Sequence, residues 1–387
     1  MGDISSSFSG GTPKVSKVEY YGGEIPFIRS AELNSQVTEL HLTKKGLENS
    51  SAKMVSQGDL LYALYGATSG EVGISRLHGA INQAILALRP KGDYSTYFIF
   101  YWLRLNKSDI ISKYLQGGQG NLSASIIKKL NIDLPCIGEQ TSIGNFFRTL
   151  DNLIALQQRK LEALQKLKQG YLQQMFPQEG ETVPRVRFAG FDELWEVYKL
   201  GDIVEKLKSY PLFRDAETDD ITGYRHIHYG DIHKQVADIV ERDDQLPNII
   251  AGNYTPIEKG DLVLADASED SAGIAEPSVI LHQPETKIIA GLHTIAIRPI
   301  STDSLFLYYL FHTGSFRKFG ARVGTGAKVT GVTYSNLAQY EMSLPCLGEQ
   351  SIIGSFIYEL DQQIVAQIFK IEQIQHLKRG YLQKMFV

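Results

Sequence analysis

Three short stretches carry residue types that support chemistry. Pro284–Lys287 places Glu285 and Lys287 in the Glu-x-Lys spacing of a nuclease site, but that tripeptide is common and no upstream carboxylate accompanies it. His226, His228 and His233 are clustered. Without cysteines or a second cluster they lack metal-ligand spacing, so they read as surface histidines and no metal site is expected. Gly324–Gly326 has the glycines of a phosphate loop without the preceding strand or the following lysine. The Asn/Asp-Pro-Pro-aromatic tetrapeptide of adenine methyltransferases is absent. No catalytic set and no cofactor of the chain's own emerges.

A different chemistry is better supplied. Bidentate hydrogen bonding to base edges needs Arg or Lys for guanine and Asn or Gln for adenine, with Ser and Thr assisting. Polar, glycine-rich loops offer these groups twice. The first half has Thr12 in Gly10–Pro13, Arg29, then Tyr65, Thr68 and Ser69, then Gln116, Gln119 and Asn121. The second half has Arg225, Asp266–Ser268, His293, and then Arg322, Thr325 and Lys328. Glycine in such loops lets the backbone approach a phosphate closely. Each residue taken singly reads better as a loop or turn residue. Gln116–Asn121 and Arg322–Lys328 are the stronger candidates as groups.

The elements that must hold these loops are organised by an internal repeat. Residues 134–176 align without a gap on 344–386, with 24 identities in 43 positions, too many for chance. Each copy predicts one long helix entered at Pro135 or Pro345, since proline is tolerated at a helix start. Apolar residues recur at spacings of three and four: Ile143, Phe146, Leu150, Ile154, Leu161, Leu164 and Leu167, then Ile353, Phe356, Leu360, Ile364, Ile371, Ile374 and Leu377. That is a coiled-coil stripe. Gln157 and Gln367 interrupt it at equivalent places, where a buried amide can fix register. From Glu139 to Phe176 such a helix runs roughly 57 Å at about 1.5 Å per residue.

The regions ahead of the helices echo each other loosely. Gly2–Ile4 resembles Gly201–Ile203, Gly58–Leu60 resembles Gly260–Leu262, and Leu86–Pro90 resembles Ile295–Pro299. The scaffold persists while the sequence between drifts, as expected when one fold serves two targets. Asp59–Leu64 and Ile81–Leu88 predict strands, with counterparts at Asp261–Ala265 and Thr294–Arg298. The apolar, aromatic-rich Tyr94–Leu105 and Ser304–His312 predict buried helices, where core packing outweighs base stacking as the role of their rings. The domains expected are residues 1–133, a helix in 134–180, residues 181–343, and a helix in 344–387.

A chain of 387 residues with 43% hydrophobic and 21% charged residues suits two or three globular domains. The net charge of −4 does not itself suggest a polyanion as partner. The acid is concentrated between Glu181 and Glu285, however, and leaves room for a basic stripe in each half. Only Cys136 and Cys346 are present, which suits a reducing cytoplasm. No signal peptide and no membrane-length apolar run is visible, so a cytoplasmic location without membrane contact is expected.

In this setting the chain resembles the specificity subunit of type I restriction–modification systems (the HsdS family). The resemblance is carried by Ser9–Pro13, Glu19–Gly23, Ile25–Arg29, Tyr62–Gly70 and Ala80–Gln83, by the helix opening Leu134–Gln140 and Leu150–Lys160, and by its close at Lys168–Phe176. Phe188–Phe191 with Trp195 and Lys199–Ile203 resembles the segment that introduces a target-recognition domain. The match covers essentially the whole chain, and the order and duplication of the pieces are more specific than any one of them. There are two departures. The family usually opens with a copy of the Phe188–Leu200 segment, whereas this sequence begins at Gly2–Ile4 after Met1; the arm is either missing or not included, and the resemblance does not extend to subunit docking at that end. The turn at Leu134–Gln140 carries cysteine and glycine where proline or leucine and glutamate are more frequent.

The resemblance implies an α+β protein: two pseudo-two-fold-related, mixed α/β target-recognition domains separated by two long antiparallel helices that form a coiled-coil spacer. It implies recognition of an asymmetric, bipartite target in double-stranded DNA, one half-site per domain, with methylation subunits docked on the helices and restriction subunits joining through the complex. S-adenosylmethionine, ATP and magnesium then belong to the partner subunits. Antiparallel helices would place Cys136 and Cys346 near opposite ends, far beyond the roughly 7 Å between Cα atoms that a disulfide allows, so two free thiols are expected. The alternative is a non-catalytic coiled-coil attachment protein whose modules bind protein or glycan.

Overall fold

The computed structural model describes residues 1–115, 121–270, 273–326 and 328–386. Two compact units are present, Met1–Gln158 with Lys370–Val387, and Arg159–Phe369. Each unit combines one module with a part of both long helices, so the division falls inside the helices rather than at the module ends expected from sequence.

In the first unit, Ser5–Ser9, Ile85–Pro90, Leu60–Ala63 and Val72–Ile74 form an antiparallel sheet in that order. Leu60, Tyr62, Leu86 and Leu88 are fully buried against Phe98, Ile99 and Leu103, so the helix Thr96–Leu105 is held by its apolar ring of side chains. Ser95 caps it by accepting from Phe98 N. A second sheet pairs Tyr21–Ile28 with Gly79–Ile81 in parallel and adds His41–Leu42 and Lys53–Val55 at its edges. The expected single strand Ile81–Leu88 is therefore two strands in two sheets, separated by the turn Asn82–Ala84. The polar pair Asn82 and Gln83 breaks the apolar run there.

The second unit repeats this plan. Val204–Lys206, Thr294–Pro299, Leu262–Ala265 and Pro277–Ile280 form the antiparallel part of a five-stranded sheet, with Ile239–Val240 added in parallel. Tyr224–Ile227 pairs in parallel with Lys287–Ala290. The helix Ser304–Phe311 is buried through Phe306, Leu307, Tyr309 and Leu310. Glu196–Lys199 pairs with Glu341–Leu344. Just ahead of that pair, Arg187 forks onto Glu349 at 2.8 and 2.7 Å while the Trp195 indole donates to the same buried carboxylate at 3.2 Å.

The loose echoes prove to be one structural device made twice. Arg89 holds Asp59 with Nε at 3.0 Å and Nη2 at 2.6 Å. Arg298 holds Asp261 with Nε and Nη2, both at 2.7 Å. Gly58 and Gly260, at φ +96° and +91°, make the turns that present these aspartates, a conformation glycine adopts without penalty.

The long helices are Ile137–Gln174 and Leu347–Met385. Within the first unit they run antiparallel: Phe146 meets Tyr381 at 5.2 Å and Phe147 meets Phe386 at 5.8 Å. Within the second unit Tyr171 meets Phe356 at 4.9 Å, and Lys168 reaches Asp361 at 2.6 Å. Of the seam residues, Leu150, Gln157, Leu360, Gln367 and Ile371 are buried, whereas Ile154, Leu161, Leu164, Ile364 and Ile374 are half-buried. Leu167 and Leu377 depart from the expected stripe and are 45% and 48% exposed. With a 3.5-residue repeat, the step after Leu164 or Ile374 falls on Lys168 or Lys378. Both lysines are tolerated because an aspartate receives each: Asp361 takes Lys168 and Asp151 takes Lys378. Phe147 and Ile357, rather than Phe146 and Phe356, are the fully buried members of the first turns.

Candidate nucleic-acid interface

In the first unit, three chain segments converge where the strand Leu60–Ala63 ends. Leu64 N donates to Ala84 O at 2.8 Å, and Leu122 N donates to Leu64 O at 2.9 Å. Gly11 N donates to Ile81 O at 3.2 Å. A Cβ on Gly10 would overlap the Ile81 carbonyl, so glycine there lets the end of the first strand lie against the turn. This approach delivers Thr12, whose exposed hydroxyl donates to Gln83 Oε1.

The second unit assembles the same corner. Asp266 N donates to His293 O at 3.0 Å, and Val332 N donates to Asp266 O at 2.8 Å. Leu64 thus corresponds to Asp266, Ala84 to His293, and Leu122 to Val332. In the sequence, the segments preceding Leu122 and Val332 belong to the two candidate loops.

The candidate residues divide by what holds them. Arg29 is tied to Glu32 at 3.1 Å and to Glu39 at 2.5 Å. The Glu32 hydrogen bonds above all hold its guanidinium in the charged form. Burial pushes the Glu32 carboxyl up, but the hydrogen bonds it accepts from Arg29 and the Glu39 backbone, with the Arg29 charge, together outweigh it and the net direction is down. Arg29 is thus neutralised locally. Arg225 donates to the Leu246 carbonyl and is half-buried, a brace within its own unit. Tyr65 is half-buried; burial raises its phenol pKa, and a hydrogen bond with Gln83 offsets part of the rise. Ser69 donates to Leu64 O at 3.1 Å within the turn started at Gly66, and the Thr68 hydroxyl is buried. Asn121 is exposed, whereas Gln116 and Gln119 lie outside the described residues.

In the second unit, His293 Nδ1 lies 3.1 Å from Asp266 Oδ1, and Tyr229 stands edge-on to the imidazole at 5.4 Å. His293 holds φ +55°, a left-handed conformation uncommon outside glycine, in which asparagine, aspartate and histidine are the enriched side chains. Burial raises the Asp266 pKa. Thr325 and Gly331 exchange backbone hydrogen bonds at 2.9 and 2.7 Å, closing a loop on which Lys328 is exposed. Arg322 is exposed, with its guanidinium 5.4 Å from the Phe319 ring centroid.

The clustered histidines are not the surface group expected. His226 is fully buried beside Glu217 at 3.0 Å. His228 caps the helix Tyr229–His233 by accepting from Gly230 N at 3.1 Å. His233 lies 2.9 Å from Ala267 O and 3.3 Å from Glu276. Among the described residues no group of three or more His, Cys, Asp or Glu side chains could hold a metal ion. Lys287 of the Glu-x-Lys tripeptide donates to the Tyr224 hydroxyl at 2.9 Å. Both cysteines are free and exposed, and no helix among the described residues is long and apolar enough to cross a membrane. Gln83, named within the resemblance at Ala80–Gln83 but not among the candidate contacts, is the residue that Thr12 meets.

Comparison with known proteins adds a family. The model described as "Type I restriction modification DNA specificity domain" matches residues 1–166 and 192–376. The type I restriction enzyme MjaVIII specificity subunit of Methanocaldococcus jannaschii is 22% identical over 98% of this chain and 89% of its own length. The MjaIX specificity subunit of the same organism is 28% identical over 52% of this chain and 50% of its own length. Among solved structures, the type I restriction–modification S subunit from M. genitalium superposes with a TM-score of 0.62 at 14% identity, covering 100% of this chain and 94% of that one. A chain from a study of complex assembly and conformational transition in the type I system gives 0.54 at 16% identity, covering 100% of this chain and 96% of that one. At these identities the likeness speaks for the fold.

Proposed function

The chain belongs to the type I restriction–modification DNA specificity family, and from that premise we propose that it is the sequence-recognition subunit of a type I complex. It binds double-stranded DNA and supplies recognition, not catalysis. The observation that carries this reading is the family match to both halves of the chain, together with two corners of the same backbone geometry that present different side chains. Two readers with unlike surfaces call for an asymmetric, bipartite target, one half-site per module. The exposed candidates are Thr12 and Asn121 in the first unit and His293, Arg322, Thr325 and Lys328 in the second. Arg29, Tyr65, Thr68, Ser69 and Arg225 support the loops from beneath.

Methylation subunits dock on the long helices, and restriction subunits join through the assembled complex. S-adenosylmethionine, ATP and magnesium reside on those partners, and the complex works in the cytoplasm. The test is selection of binding sites from a random duplex pool by this chain together with its methylation subunits. Enrichment of an interrupted, asymmetric motif is the expected result. Salt-insensitive binding with no motif would fit an attachment protein instead.

A further inference from the structure

We infer that residues 131–134 and Glu139 of the first unit form an acceptor for a strand supplied by a partner chain. The strand it fits has a tryptophan immediately before its extended stretch and an arginine eight residues ahead of that tryptophan. The second unit holds the same site filled. There Glu196–Lys199 pairs antiparallel with Glu341–Leu344. Arg187 forks onto Glu349, and the Trp195 indole donates to the same carboxylate. With these groups in place Met342, Leu344 and Glu349 are only 5%, 4% and 1% exposed.

The first unit carries the acceptor half of this arrangement. Gly2 N donates to Lys128 O at 2.8 Å, as Gly201 N donates to Ala338 O at 3.0 Å, so the backbone leading to the two edges is equivalent. Residues 131–139 align with 341–349, which sets Ile132, Leu134 and Glu139 where Met342, Leu344 and Glu349 stand. Burial alternates along the edge: Ile132 and Leu134 are half-buried on the first unit's core, while Asn131 and Asp133 are exposed. That is the period of a strand with one face on a core. Among the described residues, however, 131–134 make no backbone hydrogen bond. Glu139 is exposed, with no hydrogen bond or ion pair to its side chain. A Cβ on Gly348 would meet the Phe191 ring at 3.9 Å, whereas one on Gly138 would meet nothing within 4 Å. A row of unpaired N–H and C=O groups is a template for another strand. In such an addition the main chain supplies affinity and the side chains supply selectivity. The carboxylate beside the edge selects a guanidinium, which can fork onto both oxygens as a lysine cannot.

The acceptor uses none of the loops assigned to DNA, so it stands or falls apart from the recognition role. Its probe is a fluorescent synthetic peptide of the sequence Val186–Leu200, titrated into the full chain and followed by polarisation. Saturable binding is expected, together with slowed hydrogen exchange within residues 131–134. Glu139→Gln in the chain and Arg187→Ala in the peptide should each weaken binding by about tenfold, as loss of a charged hydrogen-bonding pair does. Combined, they should weaken it little further, because both remove the same contact. Glu139 is exposed, so its replacement leaves the fold intact. The assignment is overturned if the peptide does not bind, if it binds without protecting 131–134, or if Glu139→Gln leaves its affinity unchanged. Sedimentation of the chain alone covers the remaining occupant: a dimer that Glu139→Gln dissociates would overturn the partner strand in favour of a second copy.

Discussion

Tyr309 donates its hydroxyl to the Asp361 carboxylate at 2.8 Å, and Tyr101 does the same to Asp151 at 2.7 Å. Each phenol comes from the aromatic helix of a module and each aspartate from a long helix. Each aspartate also receives a lysine from the other long helix, Lys168 or Lys378, which lies over the tyrosine ring. Burial first, and the adjoining aspartate second, push both phenol pKa values up. The neutral hydroxyl therefore remains the donor across the working pH range.

Removing that hydroxyl leaves a partly buried carboxylate short of a donor. Tyr309→Phe is expected to cost about 1 to 3 kcal/mol, read as a lowered urea midpoint. Tyr101→Phe should cost less, because the Asp151 side chain is 34% exposed against 19% for Asp361. Equal costs would mean that solvent does not compensate the first site.

Glycines in the long helices should respond with opposite signs. A Cβ on Gly144 would stand 2.9 Å from Phe98 N, and one on Gly354 2.8 Å from Phe306 N, so the aromatic helices dock against bare backbone. Gly144→Ala and Gly354→Ala are expected to destabilise by about 1 to 3 kcal/mol. Gly170 and Gly380 have nothing within 4 Å of such a Cβ. There alanine should stabilise by up to about 1 kcal/mol through helix propensity. Thermal unfolding of the four variants distinguishes packing from propensity.

His228 makes the second module sensitive to acid. Burial lowers its pKa from 6.5 to about 4, with Arg214 adding to the effect, and its Nδ1 must stay unprotonated to accept from Gly230 N. A depressed folded-state value means that the unfolded chain binds the proton more readily, so this contribution is lost as pH falls from 6.5 toward 4. His228→Asn keeps a capping acceptor without the titration. Its stability relative to wild type should therefore rise steadily over that interval and stay level above pH 7, as measured by unfolding at several pH values.

The exposed groups of the second corner should separate affinity from selectivity. Lys328→Ala is expected to weaken DNA binding about equally for all sequences and to reduce the salt slope by about one. His293→Ala should instead change preference within one half-site and leave the salt slope alone. Polarisation titrations at several salt concentrations, paired with site selection, tell the two apart.

Cys136 and Cys346 are exposed and free, so the native chain should react with two equivalents of a thiol reagent without denaturant. A single equivalent, or none, would contradict the structure.

Much of the architecture was legible in the chain because it is written in short-range periodicity. The ungapped repeat, its three-and-four spacing and the apolar runs Tyr94–Leu105 and Ser304–His312 depend only on neighbours within a few turns, and they predicted the helices now seen, the last two at Thr96–Leu105 and Ser304–Phe311. The loose echoes at Gly58–Leu60 and Leu86–Pro90 marked equivalent scaffold without revealing that Asp59 and Arg89 bind each other. Pairings of that kind depend on which strands become neighbours, and no local pattern encodes them. For the same reason Arg29 and Arg225 looked like free cations until Glu32, Glu39 and the Leu246 carbonyl were placed beside them. Leu167 and Leu377 were expected in the seam, and Lys168 and Lys378 take those steps instead because Asp361 and Asp151 receive them. The corner at Asn82–Ala84 was hidden inside an apparent strand, because only the meeting of two sheets makes it and brings Thr12 to Gln83. Helices and the duplication follow from sequence spacing; which polar groups remain free to meet a ligand follows from tertiary pairing, since a side chain's availability is set by its partners in space.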